Sequence, residues 1–298
     1  MMTDTLEATT PGPNRHPHKP QLELPPNACD AHVHIFGPHD RFPYAEERTF
    51  TPEDVPLEDL EELHRFLGFQ RSVLVQSACH GSDHSAVLDA LERGAGRYRG
   101  VALVGPETTA REIGRWHEAG MRGARIHFAA HLGAPPTRSE IARIVDLVGP
   151  FGWHLAVHVM GPSILDFAER VHEIPLRIVF DHMGRFDISP SRPQREREAL
   201  KRLLVENDDV WVKLSGADRI ASHPPQLDDA IALARELFTT RPDRCVWGTD
   251  FPHPNTHGFM PNDGDLVDTL CGIAPTQDEL ELLLVANPEA CFDFAPNA

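Results

Sequence analysis

The stretch CDAHVHIF, residues 29–36, is a short, largely apolar run of strand length that carries two imidazoles near its carboxyl end. Seven more runs of the same kind follow it: RSVLVQS (71–77), YRGVALVG (98–105), RGARIHF (122–128), WHLAVHV (153–159), RIVFDHMG (177–184), VWVKLSG (210–216) and RCVWGTD (244–250). Between them stand segments whose apolar residues recur with helical spacing, such as LEDLEELHRFLG, DHSAVLDALERG, RSEIARIVDLVG and QLDDAIALARELF, and a helical tail ends in DELELLLVANPEACF. Near-continuous apolar strands alternating with helices indicate a parallel sheet covered by helices. Eight such units predict closure into a single-domain α/β fold, the (β/α)8 TIM barrel. The competing arrangement, an open doubly wound sheet, lacks its usual ligand signal, because no G-x-G-x-x-G or P-loop follows the first strand.

Length and composition agree with one large domain. The chain has 298 residues, within the range of a single α/β barrel, and is 41% apolar and 24% charged, enough for a sizeable core. Residues 1–26, rich in Pro, Thr and Asn without periodicity, read as a flexible arm, and residues 27–298 as the barrel. A formal charge of −17 argues against nucleic acid or an anionic membrane as a partner. The first residues carry acids and prolines where a signal peptide would be basic and then apolar, and no apolar run reaches membrane-spanning length, so a cytoplasmic address is expected. Five cysteines without C-x-x-C spacing read as reduced, buried thiols. Association into a homo-oligomer is left open.

In a barrel of this type the reacting groups stand at the carboxyl ends of the strands. Strand one ends in His32-Val33-His34, and residues two apart on a strand share a face. Alone, an H-x-H is better explained by loop or core packing. Strand five adds His154 and His158 on one face, strand six ends in Asp181-His182-Met183-Gly184-Arg185, and strand eight ends in Gly248-Thr249-Asp250. Core packing has no use for imidazoles and a carboxylate from four strands, whereas ionisable groups gathered in a cleft mark function.

The H-x-H of strand one, the His of strand six and the Asp closing strand eight resemble the amidohydrolase superfamily over residues 27–295. More narrowly, HVHIFGP, LVQS with HGSD, DHMGR, VWVKLSGADR and WGTDFPHPN resemble its 2-pyrone-4,6-dicarboxylate lactonase branch. The resemblance implies a hydrolase that opens the ring of a small anionic lactone in aromatic-compound catabolism. Adding water to an ester carbonyl requires a base and something to hold the developing oxyanion. Asp250 is expected as the base and His182 as the group that positions the carbonyl or shuttles a proton, with His32 and His34 beside them. Single-metal relatives use the two strand-one imidazoles, a strand-five His and the strand-eight Asp, so His32, His34, His158 and Asp250 are expected to hold one divalent metal, zinc or manganese. The branch's own lactonase works without a metal and has Tyr in the place of His158. The alternative is therefore a metal-free site in which His158 donates a hydrogen bond to the substrate. RGARIHF lacks the Lys that bridges two ions in binuclear relatives, which argues against a two-metal site, and Lys213 on strand seven reads as a salt-bridge partner inside the barrel.

Arg125, Arg185 and Arg219 fall on the active-site side of the barrel and, with Ser77 and His158, are expected to bind substrate. A guanidinium grips a carboxylate with two hydrogen bonds, so three of them around one cleft predict a dicarboxylate or a related dianion. Phe50 and His131 stand where the branch has Tyr and a basic residue, which leaves room for a sulfonated or chlorinated muconolactone or a sugar-acid lactone. The competing functions are a metal-dependent decarboxylase or hydratase acting on an aromatic or muconate acid, and a barrel that binds without catalysis.

Overall fold

The computed structural model describes residues 7–129, 132–189, 191–192 and 194–295; His131 lies outside them. The eight apolar runs become strands β1 Cys29–Val33, β2 Arg71–Val75, β3 Tyr98–Leu103, β4 Met121–Phe128, β5 His154–Val159, β6 Ile178–Phe180, β7 Val210–Leu214 and β8 Cys245–Trp247. They form one parallel sheet in sequential order. The intervening helices are α1 Leu57–Leu67, α2 Ser85–Gly94, α3 Ala110–Ala119, α4 Arg138–Val148, α5 Ser163–Ala168, α6 Arg195–Glu206, α7 Ala217–Ile220 and α8 Asp228–Thr240. After β8 come α9 Asp263–Asp268, α10 Leu270–Ile273, α11 Gln277–Glu281 and α12 Asn287–Phe292. Thr109 with Glu112, and Thr137 with Glu140, form capping boxes that satisfy the first N–H groups of α3 and α4 and fix where each helix starts.

Alternation along the strands sorts the apolar residues into two cores. Ala31, Val73, Val101, Ala156, Val179 and Val246 meet inside the sheet, together with Phe292 and Phe294 of the C-terminal segment. Val33, Leu74, Ala102, Leu155 and Phe180 face the helices. Phe292 packs 5.2 Å from the His154 ring, so His154 is spent at the amino end of the barrel while His158, at the other end of β5, is left for the site.

Where β8 meets β1 the chain runs beyond the formal strands. Asp250 N–H donates to the His32 carbonyl at 2.9 Å, and His34 N–H donates to the Phe251 carbonyl at 2.7 Å. Buried Asp30 seals the same seam, accepting from Thr249 N–H at 3.0 Å and from its hydroxyl at 2.6 Å. Gly248 is required at this closure: a Cβ there would stand 2.6 Å from His32 N and 2.9 Å from Asp30 Oδ1.

The pairing of β1 with β2 slips between Asp30 and Val33. Under strict alternation Ala31, an inner-core residue, would put His32 on the helix side. The slip instead lets Ala31 and His32 both point inward, returns Val33 to the outer core, and aims His34 inward again. Irregularities of this kind re-aim side chains next to active sites.

The described part of the arm makes specific contacts, and one expectation, that every cysteine is buried, needs correction. The arm is fastened over its described part: Thr9 N–H donates to the Thr51 carbonyl at 2.8 Å, His18 N–H to Asn262 Oδ1 at 2.8 Å, and the amides of Gln21 and Leu22 to Asp268 Oδ1 at 2.8 and 3.1 Å. Satisfied backbone groups, which the composition does not reveal, hold it there. All five cysteines are free, but Cys271 is exposed on α10. No helix among the described residues is long and apolar enough to cross a membrane.

Replacing Gly248 by Ala forces a methyl against backbone that cannot yield, and is expected to destabilise the fold by about 1–3 kcal/mol. The measurement is the urea midpoint; an unchanged midpoint would show that the β8–β1 seam has slack.

Candidate active site

The strands deliver their polar ends to one cavity of about 190 Å³, lined by His34, Ser77, Arg125, His158, His182, Arg185, Arg219 and Asp250. These are eight of the residues singled out in the sequence. The ninth, His32, is fully buried and lies beneath the cavity rather than on its wall. The volume is at the small end for ligand sites and suits a single ring with short substituents.

Asp250 is at the centre. Its Oδ1 is 3.6 Å from His32 Nε2, 3.6 Å from His34 Nε2 and 3.8 Å from His182 Nε2, and this oxygen is buried without a hydrogen-bond partner. The two strand-one imidazoles are 3.3 Å apart at Nε2. His34 Nδ1–H donates to the Val75 carbonyl at 2.6 Å, which fixes its tautomer and leaves Nε2 with a lone pair. Bonds of 2.0–2.1 Å in a tetrahedral zinc site put donor atoms about 3.3–3.4 Å apart. The His32, His34 and Asp250 donors therefore have the spacing and the open oxygen to hold an ion, and they are grouped as such among the described residues. His158 is outside this group, a departure from the four-ligand expectation. Its Nδ1 lies 3.3 Å from His127 Nδ1 and its Nε2 3.5 Å from Arg185 Nη1.

Two arginines are engaged with carboxylates. Arg219 Nε donates to Asp250 Oδ2 at 2.5 Å, and its Nη2 to the Pro254 carbonyl at 3.1 Å. Nothing in the local sequence signals this pair, because the partners sit 31 positions apart on different strand ends. Arg125 Nε donates to Asp181 Oδ2 at 2.8 Å, and Lys213 Nζ lies 3.2 Å from Asp181 Oδ1, the interior salt bridge expected for that lysine. Arg185 has no carboxylate partner among the described residues; burial, then Arg219, lowers its pKa to about 10.

Burial also sets the imidazoles. Desolvation pushes His32 and His158 well below the ordinary histidine range, with Lys213 and Arg125 respectively adding to it. His182 is lowered by burial to about 3, so its ring is neutral at pH 7; its Nδ1 is 3.0 Å from Ser215 Oγ. Burial alone would raise Asp250, but Arg219, His182, His34 and His32 hold its carboxyl well below the usual range.

The ends of β6 and β8 are left-handed. His182, Met183 and Arg185 have φ of 50°, 51° and 44°, and Asp250 and His253 have φ of 69° and 60°. Non-glycine residues in this region cluster where side chains must be aimed into a site. Both strands thus end earlier than the apolar runs suggested. Gly216, at φ 68°, has the His182 Cβ only 3.0 Å from where its own Cβ would be, so the β7 end must stay bare for His182 to fit.

Sequence reasoning passed over His127 and Asp181. His127 shares the inward face of β4 with Arg125, a period-two signal that was readable. Asp181, next to His182 in the chain, is the carboxylate on which Arg125 and Lys213 converge. Phe50, Leu132, Met160 and Pro254 supply the cavity's apolar wall.

The amidohydrolase family profile matches residues 29–294. The chain is 37% identical over 281 residues, 92% of each protein, to the 2-pyrone-4,6-dicarboxylate hydrolase of Comamonas testosteroni. It is 35% identical over 284 residues, 94% of this chain and 93% of the relative, to the 4-sulfomuconolactone hydrolase of Hydrogenophaga intermedia. Its fold is similar to a crystal structure from Agrobacterium tumefaciens, solved in the apo form, with a TM-score of 0.81 at 28% identity, covering 93% of this chain and 100% of that one.

The lowered imidazoles give stability a pH dependence with a definite sign. His154 and His182 at about 3 and His84 at about 4 stay neutral in the fold, while the unfolded chain protonates them near pH 6.5. Unfolding therefore takes up protons as the pH falls from about 6.5 towards 4, and stability falls with it; above that window these groups contribute no slope. Three protons correspond to a loss of up to about 4 kcal/mol for each pH unit. Denaturant unfolding at pH 7, 6 and 5 reads this slope, and a flat profile would show that the rings take protons within the fold.

Proposed function

Because the chain belongs to the amidohydrolase family, we propose that it hydrolyses a small anionic lactone formed in aromatic-compound catabolism. The two named relatives act on a pyrone, which is a cyclic ester, and on a muconolactone. The observation that carries the reading is the charge of the cavity wall beside its single carboxylate. Among the described residues Arg125, Arg185 and Arg219 line it with Asp250 as the one lining carboxylate, while Asp181 beneath is shared by Arg125 and Lys213. With neutral imidazoles the site keeps an excess of positive charge, offset in part by Asp218 beside Arg185 and Arg219, which matches an anionic substrate.

Arg185 is the first hook for an acid group, since no carboxylate among the described residues forms an ion pair with it. Arg219 is the second, and the proposed step couples binding to chemistry. While Arg219 holds Oδ2, Asp250 is a weak base; an acid group of the substrate that draws Arg219 onto itself returns basicity to Asp250 as the ring arrives. Asp250 Oδ1 then takes the proton of the attacking water, and neutral His182 offers an N–H to the carbonyl oxygen as negative charge develops on it. One divalent ion, zinc or manganese, would be held by His32, His34 and Asp250, and when bound it supplies Lewis-acid chemistry at the carbonyl. The alternative is the same residues working without one, and elemental analysis of protein purified without added metal separates the two.

A panel of acidic lactones, including 2-pyrone-4,6-dicarboxylate and 4-sulfomuconolactone, is expected to be opened with release of one proton per turnover and no carbon dioxide. Carbon dioxide evolution, or inertness to every lactone, would overturn the reading. Asp250→Asn, nearly isosteric, should fold with unchanged circular dichroism and lose roughly 100-fold or more in kcat; retention of a tenth of the wild-type value would remove it from the base role. Arg185→Met should raise KM for an acid lactone at least about tenfold more than for its methyl ester, and equal effects on both would show that Arg185 does not bind the acid group.

A further inference from the structure

Resting on the reading of His32, His34 and Asp250 as the holder of an ion, we propose that Lys213 and Asp181 compete for one nitrogen, Nδ1 of His32, and that the winner sets how tightly the site takes a divalent ion. Lys213 Nζ lies 3.0 Å from that nitrogen and Asp181 Oδ1 lies 3.4 Å from it. All three groups are completely buried, so no water arbitrates between them.

The two partners demand opposite tautomers. An ammonium can only donate, so a hydrogen bond from Lys213 leaves Nδ1 as acceptor and puts the ring hydrogen on Nε2. That hydrogen points at His34 Nε2, 3.3 Å away, which has its lone pair free because its own Nδ1–H is given to Val75. The chain Lys213 to His32 to His34 to Val75 is thus satisfied at every link without a metal, and His32 has no lone pair to offer. A carboxylate can only accept, so a hydrogen bond to Asp181 keeps the hydrogen on Nδ1 and frees Nε2 to face Asp250 Oδ1. That is the carboxylate–histidine arrangement that strengthens metal ligands. Asp181 Oδ1 is placed for it: it makes no hydrogen bond within the site beyond its ion pair with Lys213 Nζ at 3.2 Å, while Oδ2 is held by Arg125. Lys213 is a positioning residue in this scheme, acting on His32 directly and on its rival acceptor Asp181 through that ion pair.

The proposal predicts the ring state as well as the affinity. In metal-free wild-type protein labelled with 15N-histidine, two-bond 1H–15N correlations should show His32 as the Nε2–H tautomer, with His32→Gln assigning its signals. Lys213→Met should turn it to the Nδ1–H tautomer and tighten zinc binding, measured by competition with a chromophoric chelator, by about tenfold or more; Asp181→Asn should weaken zinc about 10- to 100-fold. An unchanged tautomer in Lys213→Met overturns the proposal even if affinity rises, because loss of a nearby positive charge alone would do that. Tight and equal zinc binding by wild type and Lys213→Met overturns it and leaves the ion site standing, whereas failure of both to bind zinc removes the ion site as well. If Lys213→Met does not fold, the wild-type spectrum decides: an Nδ1–H signal for metal-free His32 is fatal.

Discussion

Two backbone hydrogen bonds, from Asp250 to the His32 carbonyl and from His34 to the Phe251 carbonyl, close the barrel between its first and last strands. The same residues carry the side chains of the site. Closure and chemistry are therefore one constraint: the Asp250 carboxylate cannot meet the two imidazoles unless the last strand end lies in register on the first. Asp30, the bare Gly248 and the slip of β1 on β2 all serve that contact from different sides. Left-handed residues then turn Asp250 and His182 over the strand ends into the cavity.

The second organising feature is how charge is held without water. Asp181 and Asp250 are almost fully enclosed, and each is met by cations within hydrogen-bonding range. Removing one member of such a pair leaves a buried charge uncompensated, at a cost of several kcal/mol, so each carboxylate obliges its partner to remain. The imidazoles among them stay neutral chiefly because burial disfavours a charged ring, with nearby cations such as Lys213 and Arg125 adding to it at His32 and His158. Neutral rings can donate and accept at once, which a site built from lysines or carboxylates could not do.

Much of this was legible in the residues. The eight strands, the parallel sheet and the inward ends bearing His34, His158, His182 and Asp250 follow from period-two patterning and from where polar residues interrupt apolar runs. What the sequence could not supply was partnership across the barrel. Arg219 shows nothing in its own neighbourhood of its bond to Asp250, and Lys213 nothing of its nearness to His32. Alternation also gives no warning that β1 slips, although without the slip His32 would face a helix. In the arm, Pro-rich composition reports the absence of regular structure, and its hydrogen bonds to Asn262 and Asp268 need none.

The seam between β1 and β8 joins Asp30 to Thr249, 219 positions apart. A contact of that reach has to be formed against the entropy of closing nearly the whole chain into a loop, so it belongs among the late events of folding. During synthesis β1 must wait for β8 with its inner face uncovered, and no shorter fragment lacking β8 can contain the complete site. Assembly of the cavity is consequently all or none: a half-made barrel carries His32 and His34 but not the Asp250 carboxylate that they face.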